Sequence, residues 1–222
     1  MSLRHGLLIL CLCGELTGGD KTQEQTLVTA KTDAGDFSYR QAIELAAKDD
    51  KVRATKPYVD LMMKAAQAGH AKAQTNIGYA YASGEGITRD PKEAVRWFRL
   101  AAAQGEVVAM DDLGYAYLTG DGITKSTPEA INWYTQAADK GYGPSQVSLS
   151  DIYGGDSNQA NLPLAIAWRR IAMLSEEYMK ETPALLALEK RADKGQLAEA
   201  RAAYATIRKR MSKPHANEGM TK

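Results

Sequence analysis

Between residues 71 and 106 the apolar positions follow a helical rhythm that stops and restarts once. Ala73, Ile77 and Tyr81 recur at i, i+4 and i+8 and place one apolar stripe on a first helix, with Gly78 beside it to let a neighbouring helix come close. Gly84-Glu85-Gly86 reads as a turn that uses positive backbone dihedrals. Asp90-Pro91 then opens a second helix, with a capping residue followed by proline at the first helical position. Ala94, Trp97, Phe98, Ala101 and Ala102 give that helix its apolar face before Gly105 ends it. The small residues of the second helix are expected to face the first, and its aromatics to fill the gaps between units.

This two-helix pattern returns after 36 residues. Ala73 falls on Ala109, Gly78 to Tyr81 on Gly114 to Tyr117, Gly84 on Gly120, Gly86 to Thr88 on Gly122 to Thr124, Glu93-Ala94 on Glu129-Ala130, Trp97 on Trp133, Ala101-Ala102 on Ala137-Ala138 and Gly105 on Gly141. These are 15 identities in a 36-residue window, where composition alone would give about two. A third copy runs through Leu149, Tyr153, Ala165, Trp168 and Ala172, its second half one residue early because the loop has lost a residue. Ala65, Ala66 and Gly69 mark a degenerate copy ahead of the first.

The unit resembles the Sel-one-like repeat (SLR) family, relatives of the tetratricopeptide repeats. Ala73, Ile77-Gly78, Tyr81, Gly84, Gly86, Ala94, Trp97, Ala101-Ala102 and Gly105 supply the family pattern in order. The resemblance covers about residues 37 to 212. It implies an all-α chain: a right-handed α-solenoid of antiparallel helix pairs with a C-terminal helical cap, binding other proteins. Residues 37–70 form the degenerate repeat, 71–106, 107–142 and 143–175 the three repeats, and 176–212 the cap, in which Pro183 to Leu188 pairs with the helical stretch from Gln196 to Met211. A cap covers the last open face of such an array and keeps it soluble.

Outside the array, residues 1–17 read as an export signal. Arg4 precedes an apolar run from Gly6 to Cys13 that is far short of the roughly 20 residues needed to span a bilayer. Leu10 to Gly14 resembles a bacterial lipoprotein box, making Cys13 the candidate lipidation site, although Leu12 stands where that box normally has a small residue. Residues 18–36, rich in Thr, Gly, Lys and Asp, are expected to be a flexible linker, and residues 213–222 a disordered tail. The chain is then expected in the periplasm or anchored at the outer membrane, its only membrane contact being the lipid, or in the cytoplasm if the segment is no signal.

Composition narrows the chemistry. Lys+Arg at 28 against Asp+Glu at 27 leaves a net charge of +1, so nucleic acid is not an expected partner. The two cysteines, Cys11 and Cys13, both precede the repeats, which excludes a cysteine nucleophile or zinc site within them. That also argues against the SLR branch linked to penicillin hydrolysis, which is cysteine-rich. His5, His70 and His215 make no metal pair, and His70 reads as a solvent-exposed turn residue. The doublets Asp49-Asp50, Asp111-Asp112 and Glu176-Glu177 read as solvated faces, since adjacent helical side chains point about 100° apart. The Gly-Asp-Gly at Asp121 lacks the alternating oxygens of a calcium loop, and the GxG turn follows no strand, so neither metal nor phosphate nor any other cofactor is expected.

The face of each first helix opposite its apolar stripe is the expected protein-binding site. It carries Lys72, Thr75 and Tyr79, then Val108, Asp111, Tyr115 and Leu118, then Val147 and Asp151. The resemblance implies that first helices line the inside of the superhelix, so these residues would form one concave strip. The expected function is non-enzymatic binding of a partner protein in the bacterial envelope. SLR proteins encoded beside secreted antibacterial phospholipases act as immunity proteins, and this chain resembles them in size and layout. An adaptor in envelope assembly or signalling, or an enzyme acting on lactam or cell-wall substrates, are the alternatives.

Overall fold

The computed structural model describes residues 21–155, 160–175 and 182–212. Among them are ten helices and no strand: α1 (Lys21–Lys48), α2 (Lys56–Gln67), α3 (Ala71–Ser83), α4 (Pro91–Ala103), α5 (Val107–Thr119), α6 (Thr127–Asp139), α7 (Gly143–Gly154), α8 (Leu162–Ala172), α9 (Thr182–Arg191) and α10 (Lys194–Met211). A short 3-10 turn, Asp50–Ala54, joins α1 to α2. Consecutive helices pack in pairs, α3 on α4, α5 on α6 and α7 on α8, and each pair rests on the next. The chain is an α-solenoid, and the helix pairs fall where the 36-residue period places them.

Local chemistry sets the helix ends. The Asp90 side chain accepts from the backbone N–H groups of Lys92 and Glu93, and Ser126 accepts from that of Glu129, each just ahead of a helix with proline in its first turn. The first helices stop at Gly84 and Gly120, both left-handed with φ of 81° and 85°. The second loop glycine serves the joint between units. A Cβ on Gly122 would lie 2.2 Å from the carbonyl oxygen of Pro91, so the loop of one repeat sits directly on the start of α4 in the previous one.

The core is a chain of small clusters rather than one centre. Met62 and Ala65 of α2 pack with Ala73 and Ile77 of α3 and Trp97 of α4. Phe98 and Ala101 of α4 pack with Ala109 and Leu113 of α5. Tyr134 and Ala138 of α6 pack with Leu149 of α7 and with Trp168 and Ile171 of α8. Ile207 of α10 joins that last cluster, and α10 covers α8 as the expected cap.

Several expectations are corrected. Residues 21–36, expected within a flexible linker, belong to α1, which continues past them and packs on α2. Gly35 is the reason that half of the contact can be close, since a Cβ there would meet Ala68 Cβ at 3.0 Å. Phe98 does more than fill a gap between units: its ring packs with Ala109 and Leu113 of the next repeat and also lies over Gly78 of its own. His70 is no solvent-exposed turn residue: its Nδ1 accepts from the Ala73 N–H as the cap of α3, and its ring stacks on Tyr39 at 4.0 Å. The expected signal at 1–17 with Cys13, and the tail at 213–222, lie outside the described residues.

Candidate protein-binding face

The expected strip divides into groups with different surroundings. On α3, Lys72 is exposed and Tyr79 is 43% exposed, but Thr75 is only 5% exposed, its hydroxyl donating to the carbonyl of Ala71. Thr75 is therefore removed from the binding surface, because it lies on the side of the helix that rests against its neighbours. On α5, Tyr115 is 59% exposed, while Val108, Asp111 and Leu118 are half-buried. On α7, Val147 is half-buried and Asp151 is exposed but engaged in an ion pair with the buried Arg169. Asp111 accepts from the Ser145 hydroxyl at 2.5 Å, so it ties α5 to α7 rather than standing free.

Tyr79 and Tyr115 are brought to one groove between α3 and α5. It has a volume of about 400 Å³, with Val95 and Phe98 of α4 among the residues lining it. Tyr79 meets Phe98 edge-on, with ring centroids 5.5 Å apart. Asp112 of α5 lines the same groove, and Asp121 lines it as well, held by Arg89 at 2.8 Å across the loops. On the other side of Tyr79 lies a second hollow of about 340 Å³, where Arg53 and Glu85 supply one charge of each sign.

Asp112 corrects the reading of Asp111-Asp112 as a solvated doublet. It is mostly buried, its carboxylate accepts a hydrogen bond from the Tyr79 phenol, and its Oδ2 is buried with no partner among the described residues. Burial pushes its carboxyl up to about 7; the Asp111 charge adds to the rise, and the Tyr79 bond opposes it. Burial also raises the Tyr79 phenol, followed by the neighbouring Asp112. Asp111 is raised by burial and lowered by its bond from Ser145. The sequence reading missed Asp112 as a groove residue, although its spacing contains the signal: Val108, Asp112, Tyr115 and Thr119 follow one helical stripe at i, i+4, i+7 and i+11.

No group of three or more His, Cys, Asp or Glu side chains among the described residues is placed to hold a metal. No described helix is long and apolar enough to cross a membrane. What the face offers is a shallow groove with aromatic edges and an acidic floor, suited to docking a side chain or a short segment of another protein.

The Sel1 repeat family matches residues 71–106 and 107–142, the two units read from the internal period. The structure is similar to a Sel1 repeat protein from Oxalobacter formigenes, at 25% identity over 89% of this chain and 75% of that one, with a TM-score of 0.58. It is also matched to a protective antigen of uropathogenic Escherichia coli strains displaying an SLR fold, at 24% identity over 90% of this chain and 52% of that one, TM-score 0.48. An immunity protein from Pseudomonas aeruginosa matches at 18% identity over 80% of this chain and 83% of that one, TM-score 0.35. No curated protein matches the chain. Residues 71–142 thus carry two Sel1 repeats within a longer helical-repeat fold.

Proposed function

We propose that this Sel1-like repeat protein is a non-catalytic binding module that holds a partner protein against the first-helix face, at the groove between Tyr79 and Tyr115. The observation that carries this reading is the pair of exposed tyrosines, one repeat apart, flanking a groove lined by Val95, Phe98 and the acidic Asp112 and Asp121. Tyrosine buries much area at low conformational cost and keeps a polar tip, which is why it recurs at binding hot spots. Tyr115→Ala should weaken partner binding by about 2 kcal/mol or more while leaving helicity unchanged, because the side chain it removes is mostly in solvent. Unchanged affinity in that variant would move the site off this face.

The finer role we propose is that of an exported inhibitor, an immunity protein against a secreted antibacterial effector, in the periplasm or tethered to the outer membrane. The support is the apolar N-terminal run ending at Cys13 and the SLR layout that follows it. Cell fractionation with N-terminal sequencing tests the location, and a processed protein in the envelope is the expected result. Deleting the gene should leave cells sensitive to siblings that deliver the effector. Survival of the deletion strain, with the protein co-purifying with envelope or regulatory subunits instead, would favour a scaffold.

A further inference from the structure

We infer that the groove between α3 and α5 is a receptor for a basic side chain of the partner, an arginine or lysine entering between Tyr79 and Tyr115 above Asp112. The inference rests on the binding face just proposed and specifies what it recognises.

Charge complementarity commits the occupant. Asp112 and Asp121 are the charged residues lining the groove, both acidic, whereas the hollow across Tyr79 carries Arg53 and Glu85 together. Asp121 already has a cation in Arg89. Asp112 has none among the described residues: its neighbours are the Tyr79 phenol from α3, the Asp111 carboxyl on its own helix and the Tyr134 phenol from α6 beneath, where the charge of Asp112 acts to raise the phenol. One of its oxygens is shut off from water without a partner. A carboxylate in that position attracts a cation strongly, because little water screens it. The two tyrosine rings add the second half of a cation site, since the face of an aromatic ring attracts a guanidinium or ammonium group. An anionic segment would meet the like charges of Asp112 and Asp121, and a purely apolar one would dry the Asp112 carboxylate without offering it a counter-charge, which is unfavourable.

The occupant also fits the ionisation of the site. With its carboxyl held near 7, Asp112 exchanges a proton for the incoming cation, so binding should release protons and tighten from pH 6 to pH 8. Tyr79 keeps its proton throughout that range because its phenol is shifted up.

The test uses the full chain and two peptides, acetyl-Gly-Arg-Gly-Arg-Gly-amide and its citrulline counterpart, which has nearly the same shape without the charge. Binding is followed at 150 mM salt by NMR of the Tyr79 and Tyr115 rings and the Asp112 carboxyl carbon. The arginine peptide is expected to shift all three and to bind at least tenfold tighter than the citrulline peptide. That preference should disappear in Asp112→Asn and weaken severalfold in Tyr115→Ala, which keeps the test open if the first variant folds poorly. Equal binding of the two peptides at the tyrosines would overturn the cation site and leave the binding face standing. Arginine-peptide binding that ignores both variants and maps to other surfaces would overturn both.

Discussion

Gly78 and Gly114 hold the same place in successive repeats, and the two are built alike: a Cβ would come within 2.4 Å of the Phe98 ring at the first and 2.7 Å of the Tyr134 ring at the second. Each first helix therefore presses its backbone against the aromatic ring of its own second helix. Residues that face the neighbouring unit behave differently. Trp97 is 5% exposed and closes on Met62 and Ala65 of α2, whereas Trp133, its equivalent, is half-buried at the border of its cluster. Asn76 lines the corresponding hollow beside Tyr79 and reaches back toward the sulfur of Met62 at 3.9 Å, while Asp112, its equivalent, brings a carboxylate to the groove between Tyr79 and Tyr115. Contacts within a unit repeat because both partners repeat. Contacts between units differ because the neighbour differs, and it is there that the two hollows on either side of Tyr79 form, one acidic and one of mixed charge.

The largest consequence of this difference is at the tryptophans. Trp97→Ala should cost about 3–5 kcal/mol, the usual range for a buried tryptophan, and Trp133→Ala markedly less. Denaturant unfolding of both variants measures the gap, and equal losses would mean that the two joints are packed alike. Since damage in a repeat array is felt mainly by neighbours, exchange protection in α2 and α3 should fall before that in α8.

A smaller effect separates Asp112 from Asn76. The folded chain keeps the Asp112 proton to about pH 7, while the unfolded chain releases it near the ordinary carboxylate value of 3.8. The folded state binds more protons in that window, so this group makes the wild type less stable as pH rises from about 4 to 7. Asp112→Asn should therefore gain on the order of 2 kcal/mol over the wild type at pH 8 and little at pH 4, as read by urea titrations at both. Asn76→Asp should produce no such curve, and an identical one would erase the distinction between the joints.

The smallest effect lies at the helix caps. His70 accepts from the Ala73 N–H, but Glu106, one repeat later, makes no side-chain cap bond. His70→Ala should cost about 1 kcal/mol and Glu106→Ala close to nothing. Burial is the main cause holding His70 below its ordinary 6.5, opposed chiefly by Asp36. The unfolded chain then takes up the proton first, so the wild type loses this contribution as pH falls below about 6.5. The variant should lack that loss, and thermal melts between pH 5 and 7.5 show it.

Much of this architecture is written in single positions. The paired Ala-Ala steps, the glycines at 84, 86, 120 and 122, and Asp90 and Ser126 ahead of proline-bearing first turns determine where each helix begins, ends and meets its partner, because those preferences act over a few neighbouring residues. The same spacing brought Tyr79 and Tyr115 onto an open face. What tertiary structure alone decided depends on residues far apart in the chain. Whether residues 21–36 continue a helix was settled by α2, against which the rest of α1 packs. The burial of Thr75, the stacking of His70 on Tyr39 and the engagement of Asp111 by Ser145 and of Asp151 by Arg169 come from packing beyond their own helical turn. Asp112 is the clearest case: a polar residue on a helical stripe becomes a buried carboxylate because Tyr79, 33 positions earlier, is set against it. Burial and charge environment are properties of the assembled neighbours, and no local pattern encodes them.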